Sequence, residues 1–383
     1  MKKIDLITAV LFILLVGTLS IGSIIKKDRD FSPNENRYLA TLPKPDMDGI
    51  FDGEFQEDFE EYLNDQILGR DSWITIKTAL QSACGDTDIG GAYLGKNGYD
   101  FEKITQDDVD QELFERNLAA VSEFFAKCSS SMEPERLSFL LVPTSGLILK
   151  EYLPANAPLF DQNACIDMAA GQMKDYNFID LRQTLGEHKG EDIYYRTDHH
   201  WTSRGAYLGY AEWCARTGRK PYEEDAYTIT TVSENFRGSL YSKILNYNSA
   251  YDKIINYTRM GSLAEFTVME DGKEAQGFYE PQKLSEKDQY AYFFGGNYGE
   301  LVITRTDASV TETEEQNLLV IKDSFANAFL PFIAEEYHHI YVLDLRYFSG
   351  EVSQYMEENQ ITEVLVLYNI SNFISDKNIY KMR

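Results

Sequence analysis

Apolar positions in this chain keep one period for a stretch and then switch, and each switch marks an element. Leu6 to Ile25 is a run of 20 residues without a charge. As a helix it spans about 30 Å, the thickness of a bilayer's hydrocarbon. Lys2 and Lys3 precede it, and Lys26, Lys27, Asp28 and Arg29 follow at once. The run is longer than a signal-peptide core, and no clear A-x-A site follows it. Ser20-Ile21-Gly22 offers only a weak cleavage alternative. The expectation is an uncleaved anchor. Lysines at both ends leave the positive-inside count undecided. The short preceding tail favours a signal anchor, with residues beyond 27 outside the cytoplasm.

"FSPNENRYLATLPKPD" has three prolines and no regular period, which predicts an extended stalk. Phe55, Phe59, Tyr62 and Leu63 then return at helical spacing, interrupted near Gly69. "GAYLGKNGYDFE" predicts a hairpin turning at "GKNG". Residues 107–127 have a helical pattern ending near Cys128. Residues 137–143 and 177–181 predict strands. Residues 202–218 predict a helix, with Thr202 or Ser203 as N-cap and Gly218 just past its end. The C-terminal part then alternates. Strands are expected at 318–324, 340–346 and 361–369, with helices at 325–337 and near 351–359. That alternation implies a parallel α/β sheet. Residues 219–317, richer in Tyr, Asn and Gly, read as loops and antiparallel strands inserted between the alternating halves. The chain shows no internal repeat.

Charge narrows the possible partners. The formal net charge of -26 argues against nucleic acid and against docking on anionic lipid. Cys84, Cys128, Cys165 and Cys214 are widely spaced and lack a C-x-x-C pair, so a zinc ribbon is not expected. Two disulfides and four free thiols both remain open.

Candidate chemistry falls in two places. In "LLVIKDSFANAF", Ser324 follows an apolar strand and opens a predicted helix. Ligands of open α/β sheets bind outside the carboxyl ends of the strands. Helix N-terminal N–H groups there stabilise developing negative charge, which suits a serine nucleophile. The plainer alternative makes Asp323 or Ser324 a helix N-cap. A serine needs a base. His188 lies in a polar loop, and His338 and His339 are expected at a helix C-terminus. "RTDHHW" supplies His199 and His200. In an extended segment residues i and i+2 share a side, so Asp198 and His200 should face together and His199 away. This arrangement supplies orienter, base and nucleophile. A metal site made of Asp198, His199 and His200 is an alternative, since all three are good ligands for zinc or manganese. Adjacent histidines seldom converge on one ion, and no distant motif completes the set, so no metal is expected. A purely structural cluster is the other alternative. Trp201 is expected to pack at the start of the following helix, with a sugar-facing role left open.

These residues carry a resemblance. "YYRTDHHWTSRGAY" resembles the signature of the DHHW protein family, SGNH-hydrolase-like proteins similar to bacterial alginate O-acetyltransferases. "SPNENRYLATLPKP", "YLNDQILGRDSWITIK", "YLGKNGYDFE", "LSFLLVPTS", "FRGSLYSK", "IKDSFANAF", "LDLRYF" and "EVLVLYN" fit in order along nearly the whole chain. The resemblance implies an α/β fold, a circularly permuted SGNH-hydrolase-like parallel-sheet sandwich behind one N-terminal transmembrane helix. Residues 1–27 would be tail and anchor, 28–105 stalk and membrane-proximal segment. Residues 106–383 would be the catalytic domain, with its insertion near 219–317. Asp198 and His200 match the D-x-H pair and Ser324 the serine of the G-D-S-type motif. Lys322 stands where that motif often has Gly. Asn327 is a candidate oxyanion donor or an ordinary polar residue of the first helical turn. Arg346 is a candidate for stabilising substrate charge or a structural ion pair.

The implied activity is acetyl transfer outside the cytoplasm to a polysaccharide, through an acyl-serine and without a cofactor. A multi-pass membrane-bound O-acyltransferase would deliver the acetyl group. An esterase with the same three residues, and a non-catalytic polysaccharide-binding or scaffold protein, are the alternatives. Aromatic content of 13%, with 26 Tyr, fits sugar stacking but is explained for most residues by ordinary packing.

Overall fold

The computed structural model describes residues 3–32, 37–45, 47–307 and 316–383. Lys2, part of the Pro-rich stretch (33–36 and 46) and residues 308–315 of the expected insertion lie outside the described residues. The chain divides into two compact units, Met1–Gly90 with Tyr241–Asn248, and Gly91–Leu240 with Ser249–Arg383.

In the first unit, helix α1 (Lys3–Ile25) exposes its apolar side chains all round. Among the described residues it is the one helix long and apolar enough to cross a membrane, with a mean hydropathy of 2.4 over its best window. Helices α2 (Glu54–Gln66) and α3 (Arg70–Ala83) flank the expected break at Gly69. The described part of the stalk is tied down. Gln66 accepts from the Arg29 N–H and donates to the carbonyls of Arg29 and Ala40, and Asp65 accepts from the Ala40 N–H.

The second unit opens on the expected hairpin, β1 (Ala92–Leu94) and β2 (Asp100–Glu102), followed by helix α4 (Gln111–Cys128). Strands β3 (Leu137–Val142) and β4 (Asn177–Asp180) precede helix α5 (Ser203–Arg216), which Thr202 caps. Strands β5 (Tyr227–Phe236) and β6 (Asp252–Arg259) pair as a long antiparallel ribbon. Then come β7 (Phe266–Glu270), β8 (Lys273–Glu274), β9 (Glu300–Arg305) and β10 (Asn317–Lys322). Helix α6 (Ala326–Ile333), β11 (His339–Leu343), α7 (Val352–Glu358) and β12 (Glu363–Asn369) complete the alternation.

The main sheet has the order β8-β7-β9-β11-β10-β12-β3-β4. From β11 to β4 neighbouring strands run parallel. Residues of β10 alternate between two cores. Leu318 and Val320 share one with Trp213 of α5 and Phe329 of α6; Leu319 and Ile321 share the other with Leu118 and Phe125 of α4. Burial on both faces explains why these strands read as continuous apolar runs.

Two expectations need correction. The stretch 219–317 is more than an insertion, because β7, β8 and β9 extend the same sheet. Strand β9 pairs antiparallel with β11, from Glu300 opposite Leu343 to Thr304 opposite His339. The expected helix 325–337 stops being α-helical at Ile333, and a 3-10 turn, Ala334–Glu336, finishes it. All four cysteines are free, and three are buried.

Candidate active site

The chain passes from β10 to β11 on one side and then returns to place β12 on the other side of β10. The carboxyl ends of β10 and β12 therefore flank a topological switch point, where open α/β sheets bind ligands. Asp323 and Ser324 follow β10 there. The Asp323 carboxylate fixes the turn. It accepts from the Phe325 N–H at 2.9 Å, the Asn369 N–H at 2.8 Å and the Asn372 amide at 2.7 Å. Burial pushes its pKa up, and these three donors pull the other way.

The loop Arg196–His200 comes to the same place. It is not extended as expected. It is a bent loop closed by a bridge between Tyr194 and Trp201 and by the Tyr195 N–H donating to the His200 carbonyl. Two carboxylates impose the bend. Asp252 accepts from the Arg196 and Thr197 N–H groups at 2.8 and 2.9 Å. Asp198 accepts from the His200 N–H two residues on, an Asx turn that competes with extended chain.

Asp198 and His200 still face together, through that turn. His200 Nδ1 lies 2.5 Å from Asp198 Oδ1, and His200 Nε2 lies 2.7 Å from Ser324 Oγ. Asp198 and His200 are buried, while Ser324 is partly exposed. Burial works against ionising Asp198, but the two imidazoles and the Ser239 N–H at 2.7 Å hold its carboxyl well below the usual range. Burial, helped by the charge of His199, pushes His200 down to about 4 against the pull of Asp198. A neutral imidazole at pH 7 accepts a proton from a serine hydroxyl.

Trp201 ties the two halves. It is fully buried, packs against Phe325 and Phe329, and donates from Nε1 to the Phe325 carbonyl at 2.9 Å. Helix α5 makes room with glycine: a Cβ on Gly209 would lie 2.9 Å from the indole.

His199 is not turned away. Its ring centroid is 3.9 Å from that of His200, and its Nδ1 shares a hydrogen bond of 2.6 Å with Ser239 Oγ. Asp198, His199 and His200 offer ligand atoms within 4.8 Å of one another. Hydrogen bonds to His200, Ser239 and Ser324 already engage that cluster. His338 and His339, expected at a helix end, lead into strand β11 instead, and His188 pairs with Glu191 at the surface.

Three features went unread in the sequence. Tyr290 stacks flat on His200, centroids 3.7 Å apart at 8°, and its hydroxyl donates to the Ser324 carbonyl at 3.1 Å. Gly238 lets the backbone approach Asp198, because a Cβ there would collide with its carboxylate. Ser239 supplies the N–H on Asp198 Oδ2. The fragment "FRGSLYSK" held the last two without revealing what they face.

Residues 162–343 match the DHHW protein family model. A DHHW family protein from Eubacterium siraeum is 22% identical, with a TM-score of 0.63 over 76% of this chain and 95% of that one. PatB1 of Bacillus cereus, solved with a sulfonyl adduct, is 24% identical, with a TM-score of 0.61 over 76% of this chain and 97% of that one. These likenesses show the fold. Among curated proteins none matches.

The DHHW match includes Asp198, His200, Ser324 and Asn327 and ends before Arg346. Lys322 turns its side chain into a polar cluster. Its Nζ donates to Asn297 and Asn327 at 2.7 and 2.9 Å and lies 3.8 Å from Asp344. Burial lowers its pKa to about 8 against the pull of Asp344. Asn327 also donates to the Gly296 carbonyl, so its polar atoms serve this cluster rather than Ser324. Arg346 forks onto Asp344 with contacts of 2.9 and 2.6 Å.

The expectation of open N–H groups in the helix after Ser324 also changes. The N–H groups of Phe325, Ala326 and Asn327 donate to Asp323 Oδ1, the Asp323 carbonyl and the Ser324 carbonyl. The Ser324 N–H has no partner among the described residues.

Proposed function

We propose that this protein is an O-acetyltransferase acting outside the cytoplasm on the hydroxyls of a polysaccharide, held to the membrane by α1. The observation that carries the reading is the relay from Asp198 through His200 to Ser324, with spacings of 2.5 and 2.7 Å. Ser324 Oγ attacks the carbonyl carbon of an acetyl ester as His200 Nε2 takes the hydroxyl proton. The leaving alkoxide departs with that proton, leaving acetyl-Ser324. A sugar hydroxyl then attacks, giving its proton to His200, and Ser324 regains one as the acetyl group leaves. Asp198 keeps the Nδ1–H side of the ring oriented and stabilises the cation formed in each half. The Ser324 N–H, without a partner among the described residues, is the donor for the oxyanion in place of Asn327.

An external enzyme has no cytoplasmic acetyl-CoA, so a multi-pass membrane-bound O-acyltransferase is the expected acetyl source. A circularly permuted SGNH-like arrangement accords with the D-x-H pair preceding the serine.

The test is chemical. Full-length protein incubated with p-nitrophenyl acetate should release p-nitrophenolate and gain one acetyl group, mapped by peptide mass to Ser324. A sulfonyl fluoride should block the same residue, as the adduct on PatB1 encourages. Absence of both modifications from wild type would sink the reading.

A further inference from the structure

Helix α3 is built inside out. Its Thr78 is buried, and the Thr78 hydroxyl donates to the Ile244 carbonyl of the same unit at 2.6 Å. Trp73, Ile76 and Leu80 instead face outward, 40%, 48% and 63% exposed. They recur at i, i+3 and i+7, so they form one stripe along the helix. Ala83 and Cys84, both exposed, continue it. Residues 72–85 contain no Asp or Glu in a chain that has 62, and Lys77 is their one charged side chain. An apolar stripe of this kind marks a surface that something covers.

The corner between α2 and α3 is fastened to the end of α1. The Leu68 N–H donates to Ser23 Oγ at 2.9 Å, and a Cβ on Gly22 would lie 2.7 Å from the Leu68 side chain. Tyr62 donates to Asp28 at 3.1 Å, and Arg29 lies 3.8 Å from Asp71. Trp73 Nε1 donates to the Leu68 carbonyl at 3.1 Å, which ties the first turn of α3 to the same corner. Ser23 belongs to the last turn of α1, inside its uncharged run. With α1 across the bilayer, Leu68 sits at the edge of the hydrocarbon, and α3 departs from that level without a loose linker. Its 14 residues reach about 21 Å. Tryptophan is enriched at that depth, where an apolar ring and a polar N–H are both accommodated. The bilayer is the apolar surface that these contacts bring to the helix.

We infer that α3 lies on the outer surface of the bilayer, with Trp73, Ile76 and Leu80 in the interface and Lys77 among the headgroups. The inference rests on the reading of α1 as a membrane anchor. Anchorage stays with α1, and the stripe sets the tilt of this unit against the membrane. The chain carries its own probes. Trp201 and Trp213 are fully buried while Trp73 is exposed, and Cys84 is the exposed cysteine. Full-length protein is reconstituted into phosphatidylcholine–phosphatidylglycerol vesicles. Lipids brominated near the top of the acyl chains should quench Trp73 emission, and Trp73→Phe should lose that quenching. A nitroxide on Cys84 should collide with oxygen more than with a water-soluble nickel chelate. That second signal decides, because Cys84 is a helix length from α1. Ile76→Gln together with Leu80→Gln, both at exposed positions, should return the nitroxide to water and leave the melting temperature unchanged. A water-exposed nitroxide in wild-type protein that floats with the vesicles would overturn the inference. Shielding that appears only in native membranes would overturn it too, and assign the stripe to a protein partner. Protein that fails to float with the vesicles would overturn the anchor reading, and this inference with it.

Discussion

His200 owes its state to where it is buried more than to what it is paired with. Its carboxylate partner alone would raise its pKa; burial and His199 outweigh that and bring it to about 4. In the proposed reaction the working form of His200 is the neutral one. Ester turnover should therefore be full at neutral pH and fall only as pH drops through about 4. An inflection near the ordinary histidine value would contradict this. His199→Ala removes the facing charge, so the inflection should move upward while turnover at pH 7 stays near wild type. His200→Ala should cost about 10²- to 10⁴-fold. Asp198, His200 and Ser324 were legible in the sequence because each stands beside a strong local signal: an aromatic-flanked D-x-H, or an apolar strand meeting a helix. Tyr290 was not. Nothing local separates it from 25 other tyrosines, and only the folded loop lays it on His200.

The elements around the site owe their shape to contacts far apart in sequence. The Asp198 loop is bent because Asp252 of β6 and the Gly238–Ser239 backbone grip it, which no pattern within "RTDHHW" encodes. Gly238→Ala forces that backbone away from Asp198 and removes the Ser239 N–H from its carboxylate. The variant should lose about 1–3 kcal/mol of stability, read by thermal unfolding, together with most of its ester turnover. A wild-type melting temperature and rate would show that the approach is not needed. Strands β3, β10, β11 and β12 were legible as apolar runs buried on both faces. For β7 to β9 only antiparallel strands somewhere within 219–317 were legible, without bounds or a place in the main sheet, because an edge region with mixed burial leaves a broken alternation.

At the scale of the whole molecule, α1 and the net charge of -26 act together. The acidic body gains nothing from anionic headgroups, so membrane association should depend on α1 alone. Full-length protein should stay in the membrane pellet through an alkaline carbonate wash, and deletion of residues 1–27 should release it. Retention of the deleted form would point to a second attachment. The strand order carries a separate consequence. Asp198, His200 and Ser324 are all translated before β12, the strand that slots between β10 and β3. It is β12's Asn369, with Asn372 just beyond, that clamps Asp323 under the serine. If the proposed reaction holds, a growing chain carries all three residues before the turn that holds Ser324 is clamped. Premature stop products that end between 325 and 362 should be present but inert, and the reaction should switch on only as the last strand snaps into the middle of the sheet.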